Sequence, residues 1–131
     1  MGSPDGGYIL VVDDAAFMRR MIVGIVRALG YDVLDAPDGA SAIKTMRQDP
    51  PRLVILDLLM PQISGYEVCE WIRSNPATAH IPVIVCTADQ ERKHLAQAIK
   101  AGASDILCKP VTKNGLQERL KKHLHLPADS T

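Results

Sequence analysis

The chain has 131 residues, 47% of them hydrophobic, which is the size and apolar content of one packed domain. Fifteen basic and fifteen acidic side chains balance to zero formal charge, so no basic excess drives binding to nucleic acid. No apolar run approaches the ~20 residues of a membrane span, no basic-then-apolar leader marks secretion, and Cys69, Cys86 and Cys108 lack metal-ligand spacing, so a cytoplasmic, reducing setting is expected.

Residues 1–7 (MGSPDGG) are small and strand-breaking. The Met-Gly-Ser start reads as a cloning remnant, and the segment as a flexible leader. Tyr8–Val12 predicts a first strand. A helix is expected over 15–29, where Met18, Ile22, Ile25 and Leu29 recur on one face. Gly30 ends it. Asp32–Ala36 is a second, more polar strand, expected nearer a sheet edge. A helix over 39–47 stops before Pro50-Pro51, and Leu53–Leu56 is a third strand. The loop from Met60 through Pro61 to Gly65 leads into a helix over 66–74 that buries Val68 and Ile72. A fourth strand over 82–86 precedes a helix over 91–101, with Leu95 and Ile99 on one face and Gly102 as its stop. Asp105–Cys108 is the fifth strand. Lys113–Leu124 is the last helix, with Leu116, Leu120 and Leu124 in line. Residues 127–131 form a tail, so a single domain over 8–126 is expected. Alternating strands and helices predict a parallel sheet covered on both faces. Cys86 and Cys108 lie within strands and read as buried free thiols.

Polar residues stand at the ends of the apolar runs. Asp13 and Asp14 follow the first strand, Asp57 the third, Thr87 the fourth and Lys109 the fifth. The C-terminal ends of parallel strands line one edge of a sheet, where open α/β folds bind ligands. Three carboxylates, a hydroxyl and an ammonium are therefore expected to share a pocket. Crowded carboxylates raise one another's pKa. A hard divalent cation removes that conflict, since Mg2+ takes oxygen from carboxylates, water and phosphate. Mg2+ is the expected cofactor, with Mn2+ as a substitute. Asp57, alone at its strand end, is the expected nucleophile, because a carboxylate can attack phosphorus to give an aspartyl phosphate. Lys109 and Thr87 are expected to stabilise the transferring oxygens.

Each residue alone has a plainer reading. Asp14 suits a helix N-cap, Asp57 a solvated loop, Thr87 a turn and Lys109 the surface. Their joint placement at strand ends favours one site. Removing Asp13 or Asp14 is expected to hold or raise the stability of the metal-free protein by relieving repulsion.

The stretches Val11-Val-Asp-Asp14, Met18-Arg-Arg20, Leu29-Gly-Tyr31, Ala36-Pro-Asp-Gly39, Leu56-Asp-Leu-Leu-Met-Pro61, Ser64-Gly65, Pro82-Val-Ile-Val-Cys-Thr-Ala88, Gly102-Ala-Ser-Asp105 and Lys109-Pro110 occur in order. In them the chain resembles the receiver domain of two-component response regulators, most closely the chemotaxis-type single-domain form. The resemblance implies a flavodoxin-like (βα)5 doubly wound parallel sheet of order 2-1-3-4-5, which sets the first and third strands side by side at the switch point. It implies that Asp57 is the phosphoacceptor. Asp13, Asp14, Asp57 and the backbone carbonyl of Leu59 would hold the metal, and Thr87 and Lys109 the phosphoryl group. It also implies a cis Lys109–Pro110 bond. The implied function is Mg2+-dependent transfer from the phosphohistidine of a sensor histidine kinase or phosphotransfer protein to Asp57, which switches a partner interaction. No enzyme activity is implied beyond the domain's own phosphorylation and dephosphorylation, and no direct contact with nucleic acid or membrane.

One residue departs from the pattern. The family usually places Tyr or Phe three residues before the lysine, and here that residue is Ile106. An aliphatic chain has no ring to rotate, so a muted switch between the fourth and fifth helices is expected, with partner choice resting on exposed faces carrying Lys100, Lys113, Lys121 and Lys122. The alternatives are a degenerate receiver acting as a scaffold, a flavin module of flavodoxin type and a haloacid-dehalogenase-like phosphatase. The phosphatase normally needs an acid two residues after its nucleophile, where this chain has Leu59. The flavin module needs a hydroxyl- and glycine-rich loop where this chain has Asp13-Asp14.

Overall fold

Strands β1 (Tyr8–Val12), β2 (Asp32–Ala36), β3 (Leu53–Leu56), β4 (Val83–Thr87) and β5 (Asp105–Cys108) pair in parallel, in the order β2-β1-β3-β4-β5. Helices α1 (Ala16–Ala28), α2 (Gly39–Gln48), α3 (Gly65–Ser74), α4 (Arg92–Ala101) and α5 (Lys113–Leu124) connect and follow them. This computed structural model describes residues 7–124. Most of the expected leader over 1–7 and the whole tail over 127–131 lie outside the described residues.

The period-2 alternation of strands divides the core in two. Ile9, Val11, Ile55, Ile84, Cys86 and Leu107 face Ile22 and Val26 of α1 and Leu116 and Leu120 of α5. Leu10, Val12, Val54, Leu56, Val83 and Val85 face Ala42 and Met46 of α2, Val68 and Ile72 of α3 and Ala98 of α4. The inner strands β1, β3 and β4 are buried along their whole length. Burial on both faces is why they read as unbroken apolar runs. Strands β2 and β5 lie at the edges and are more exposed.

Several expectations shift. Strand β4 runs to Thr87 and begins after Pro82, whose ring nitrogen has no hydrogen to give a ladder. The last rung is real, because the Thr87 carbonyl accepts from the Lys109 N–H at 2.9 Å. Helix α4 packs through Ala98, while Ile99, expected on one face with Leu95, is 51% exposed. Small alanines carry that contact, so the larger Ile99 misleads a reading based on bulk. Cys69 and Cys86 are buried, but Cys108, at the end of an edge strand, is only partly so. Burial pushes the Cys86 thiol up to about 12 and the Cys69 thiol to about 11, so neither is a thiolate at neutral pH.

The connection between α3 and β4 is pinned by Arg73. Its guanidinium donates to the carbonyls of Gly102 at 2.7 Å, Ile81 at 2.7 Å and Ala79 at 3.0 Å, and to Ser104 Oγ at 3.2 Å. One side chain thus ties α3 to the starts of β4 and β5. Gly102 takes φ +119 as the C-cap of α4, a left-handed conformation that favours glycine.

Candidate functional site

The ladder extends one residue past the strands at the C-terminal edge. Asp13 N–H donates to the Ala36 carbonyl at 3.3 Å, and Asp57 N–H donates to the Val12 carbonyl at 3.0 Å. Together with the Lys109–Thr87 rung, these bonds fix the backbone of three site residues to the sheet. Neighbouring rungs then bring the side chains together. The carboxylate oxygens of Asp13, Asp14 and Asp57 lie within 4.8 Å of one another. Asp13 and Asp57 are buried at 1% and 7% exposure, and Asp14 is exposed.

Among the described residues, one ammonium serves this group. Lys109 Nζ lies 2.9 Å from Asp13 Oδ2 and 3.6 Å from Asp57 Oδ2. Burial alone would lower its pKa. The hydrogen bond to Asp13 and the charges of Asp57 and Asp13 outweigh that and hold it above the ordinary lysine value. Asp57 is raised from the ordinary carboxyl range. Burial disfavours its charge, Lys109 opposes that, and Asp13 and Asp14 add repulsion. Three carboxylates around one ammonium leave unbalanced negative charge on hard oxygen donors. That donor set fits a divalent cation of the Mg2+ class.

Asp13 and Asp14 have different structural parts. Asp13 Oδ1 accepts from the Ala15 N–H at 2.9 Å, and its Oδ2 holds Lys109. The N-cap of α1 is Ala15, without a side-chain cap, so Asp14 is not the cap. Arg19, quoted in the sequence only as part of a motif, donates to the Asp13 carbonyl and to Asp35 Oδ2, each at 2.8 Å. It fixes the β1–α1 turn from the side of β2. The structure therefore splits the stability expectation. Asp14→Ala should keep or raise the metal-free melting temperature, since it removes repulsion and no hydrogen bond. Asp13→Ala should lower stability by roughly 2 kcal/mol, because it removes the closer of the two carboxylates paired with the partly buried Lys109 and leaves the Ala15 N–H without its acceptor. Thermal melts of both variants in chelator check this, and equal shifts would contradict it.

The turn after β3 is held by close backbone packing. Asp57 Oδ1 accepts from the Leu59 N–H at 3.4 Å, and the Gly65 N–H donates to the Leu58 carbonyl at 3.0 Å. A Cβ on Gly65 would stand 2.2 Å from the Asp57 carbonyl oxygen. Ser64 then starts α3 with a capping box: its Oγ accepts from the Glu67 N–H at 3.3 Å, and Glu67 accepts from the Ser64 N–H at 2.8 Å. The Leu59 side chain is 58% exposed beside this turn. The Lys109–Pro110 bond is cis.

Thr87 is fully buried at the end of β4. Its Oγ1 accepts from the Asp89 N–H at 3.1 Å, and among the described residues this hydroxyl makes no hydrogen bond to the side chains of Asp57 or Lys109. Ile106 is partly buried against the same core cluster as Tyr66. A separate cleft of about 470 Å3, lined in part by Tyr8, Arg27, Asp32 and Asp49, lies by the starts of β1 and β2, at the other end of these strands. There the Tyr8 hydroxyl donates to the Asp49 carbonyl, and burial pushes its pKa up to about 12.

Comparison with known proteins agrees with this geometry. The family model for the response regulator receiver domain matches residues 9–121. The chain is 36% identical over 118 residues to the chemotaxis protein CheY of Thermotoga maritima, covering 89% of this chain and 97% of that protein. It is 35% identical over 116 residues to the probable transcriptional regulator ycf27 of Porphyridium aerugineum, covering 88% of this chain and 47% of the relative. Thus the chain spans about half or less of several curated relatives. A putative response regulator from Chloroflexus aurantiacus superposes with a TM-score of 0.88 at 31% identity, over 93% of this chain and 100% of that one. The receiver domain of the sensor histidine kinase PA1611 from Pseudomonas aeruginosa, which has magnesium coordinated in its active-site cleft, superposes with a TM-score of 0.85 at 27% identity, over 92% and 99%. Among the described residues no helix is long and apolar enough to cross a membrane. With a family match over nearly every structured element and the doubly wound order 2-1-3-4-5, this chain belongs to the response regulator receiver domain family of two-component signalling.

Proposed function

We propose that the domain accepts a phosphoryl group on Asp57 and so switches its contact with a partner. The observation that carries this is the convergence of Asp13, Asp14 and Asp57 on one lysine at the C-terminal edge of the sheet. Asp13, Asp14, Asp57 and the Leu59 carbonyl are the residues that would hold Mg2+ or Mn2+. When bound, such a cation supplies charge neutralisation for the carboxylates and for the donor's phosphoryl oxygens. One Asp57 carboxylate oxygen attacks phosphorus, and the bond to the donor's imidazole nitrogen breaks. The imidazole leaves with the electron pair, and an aspartyl phosphate remains. Lys109, tethered between Asp13 and Asp57, is within reach to pair with a phosphoryl oxygen. Thr87 donates its hydroxyl to another. The donor is a sensor histidine kinase or a phosphotransfer protein, and the setting is cytoplasmic. The domain does no chemistry on other substrates.

The test is incubation with acetyl phosphate, with Mg2+ or with chelator, read by intact mass. A single phosphoryl adduct should form with Mg2+ and be at least tenfold less abundant in chelator. Equal labelling in both conditions would refute the metal-assisted reading.

A further inference from the structure

The β4–α4 connection contains a closed chain of hydrogen bonds that ends on Thr87. Asp89 N–H donates to Thr87 Oγ1 at 3.1 Å, and Asp89 Oδ1 accepts from the Glu91 N–H at 2.9 Å. His94 Nδ1, one turn into α4, donates to Asp89 Oδ2 at 2.5 Å and lies 3.2 Å from Glu91 Oε1. The Tyr66 hydroxyl of α3 donates to the His94 carbonyl at 3.3 Å, so the first turn of α4 is held from a second helix. Asp89 thus has both carboxylate oxygens engaged. Its backbone N–H, which fixes the Thr87 hydroxyl, has little freedom to move.

We infer that His94 is a positioning residue: through Asp89 it holds the Thr87 hydroxyl at rest, and release of this clamp frees Thr87 to serve a phosphoryl group on Asp57. The inference rests on the phosphoacceptor reading for what Thr87 does once free. The clamp itself stands on this chain's own contacts. Bonds that exist in only one of two states bias the equilibrium by their own free energy. Losing an imidazole-to-carboxylate hydrogen bond that stabilises the resting position should favour the phosphoryl-bound position by about five- to tenfold. Asparagine places an amide N–H close to where Nδ1 stands, and so can restore the bond without the ring.

The experiment compares wild type, His94→Ala and His94→Asn. The first arm measures the affinity for beryllofluoride with Mg2+, and the second the hydrogen exchange of the Asp89 amide in the unliganded protein. His94→Ala should bind beryllofluoride about five- to tenfold more tightly and exchange the Asp89 amide faster, and His94→Asn should match wild type in both. Unchanged or weaker binding in His94→Ala, or equal behaviour of Ala and Asn, would overturn the inference. If the wild type takes neither beryllofluoride nor a phosphoryl group, the phosphoacceptor reading fails and the effect on Thr87 chemistry fails with it. The Asp89 exchange then still decides the clamp, and equal exchange in all three proteins would remove that too.

Discussion

Asp57→Asn should abolish phosphoryl uptake and at the same time make the metal-free protein more stable at neutral pH. The first effect follows from the loss of the nucleophilic oxygen pair, and intact mass after acetyl phosphate and Mg2+ reads it. The second follows from the pKa. The Asp57 carboxyl sits above its ordinary value of 3.8, first because of burial, with Lys109 opposing and Asp13 and Asp14 adding to the rise. An acid with a raised folded pKa binds more protons folded than unfolded between the two pKa values. The stability it contributes is fully present below the unfolded pKa and is lost as pH rises through the folded pKa. Above the folded pKa that loss is complete, so Asn, which carries no charge, should raise the melting temperature by a few degrees there. The gain should shrink toward zero as pH falls below about 4. A gain that is equal at pH 4 and pH 7 would show that repulsion at Asp57 is not its cause.

Gly65→Ala should be the most damaging single methyl in the domain. Its Cβ would lie 2.2 Å from the Asp57 carbonyl oxygen and 2.6 Å from Leu58 Cα. Both are backbone atoms, so no rotamer change relieves the contact. Either the turn after β3 moves or α3 shifts outward. The expected cost is roughly 3 kcal/mol, the upper end for overpacking, with loss of phosphoryl uptake because the displaced backbone carries Asp57. Gly24, exposed in the middle of α1 with no atom near its missing Cβ, is the control. Gly24→Ala should stabilise by about 0.8 kcal/mol through helix propensity. Denaturant unfolding of the two variants should therefore give opposite signs. A neutral Gly65→Ala would mean that the close approach of α3 to the Asp57 turn is not required.

Much of this was legible in the chain because burial on both faces leaves a plain mark. The runs at β1, β3 and β4 are apolar throughout, and the polar residue that ends each run sits at the sheet edge. Edge strand β2 was legible from Asp32 and Asp35, which no interior strand would tolerate. Bulk failed as a guide at α4, where Ala98 rather than Ile99 meets the core. Contacts set by the path of the backbone were not legible. Arg19 reaching the Asp13 carbonyl, Arg73 gathering three carbonyls and His94 clamping Asp89 join segments 5 to 29 residues apart. Only Asp13 gave a partial signal: adjacent aspartates suggested equal roles, and the turn geometry gave one of them two hydrogen bonds and left the other exposed. Ile106 was legible as a departure, and its partial burial against the core cluster beneath α2, α3 and α4 was not.

In the proposed reaction Asp57, and no other carboxylate of the cluster, carries the phosphoryl group. The most direct measurement treats the phosphorylated protein with borohydride, which reduces an aspartyl phosphate to homoserine, and then maps the change by peptide mass spectrometry. Homoserine should appear at position 57 alone, formed only after incubation with both Mg2+ and acetyl phosphate. Homoserine at Asp13 or Asp14, or a phosphoryl group found on a histidine or serine with Asp57 unchanged, would contradict it.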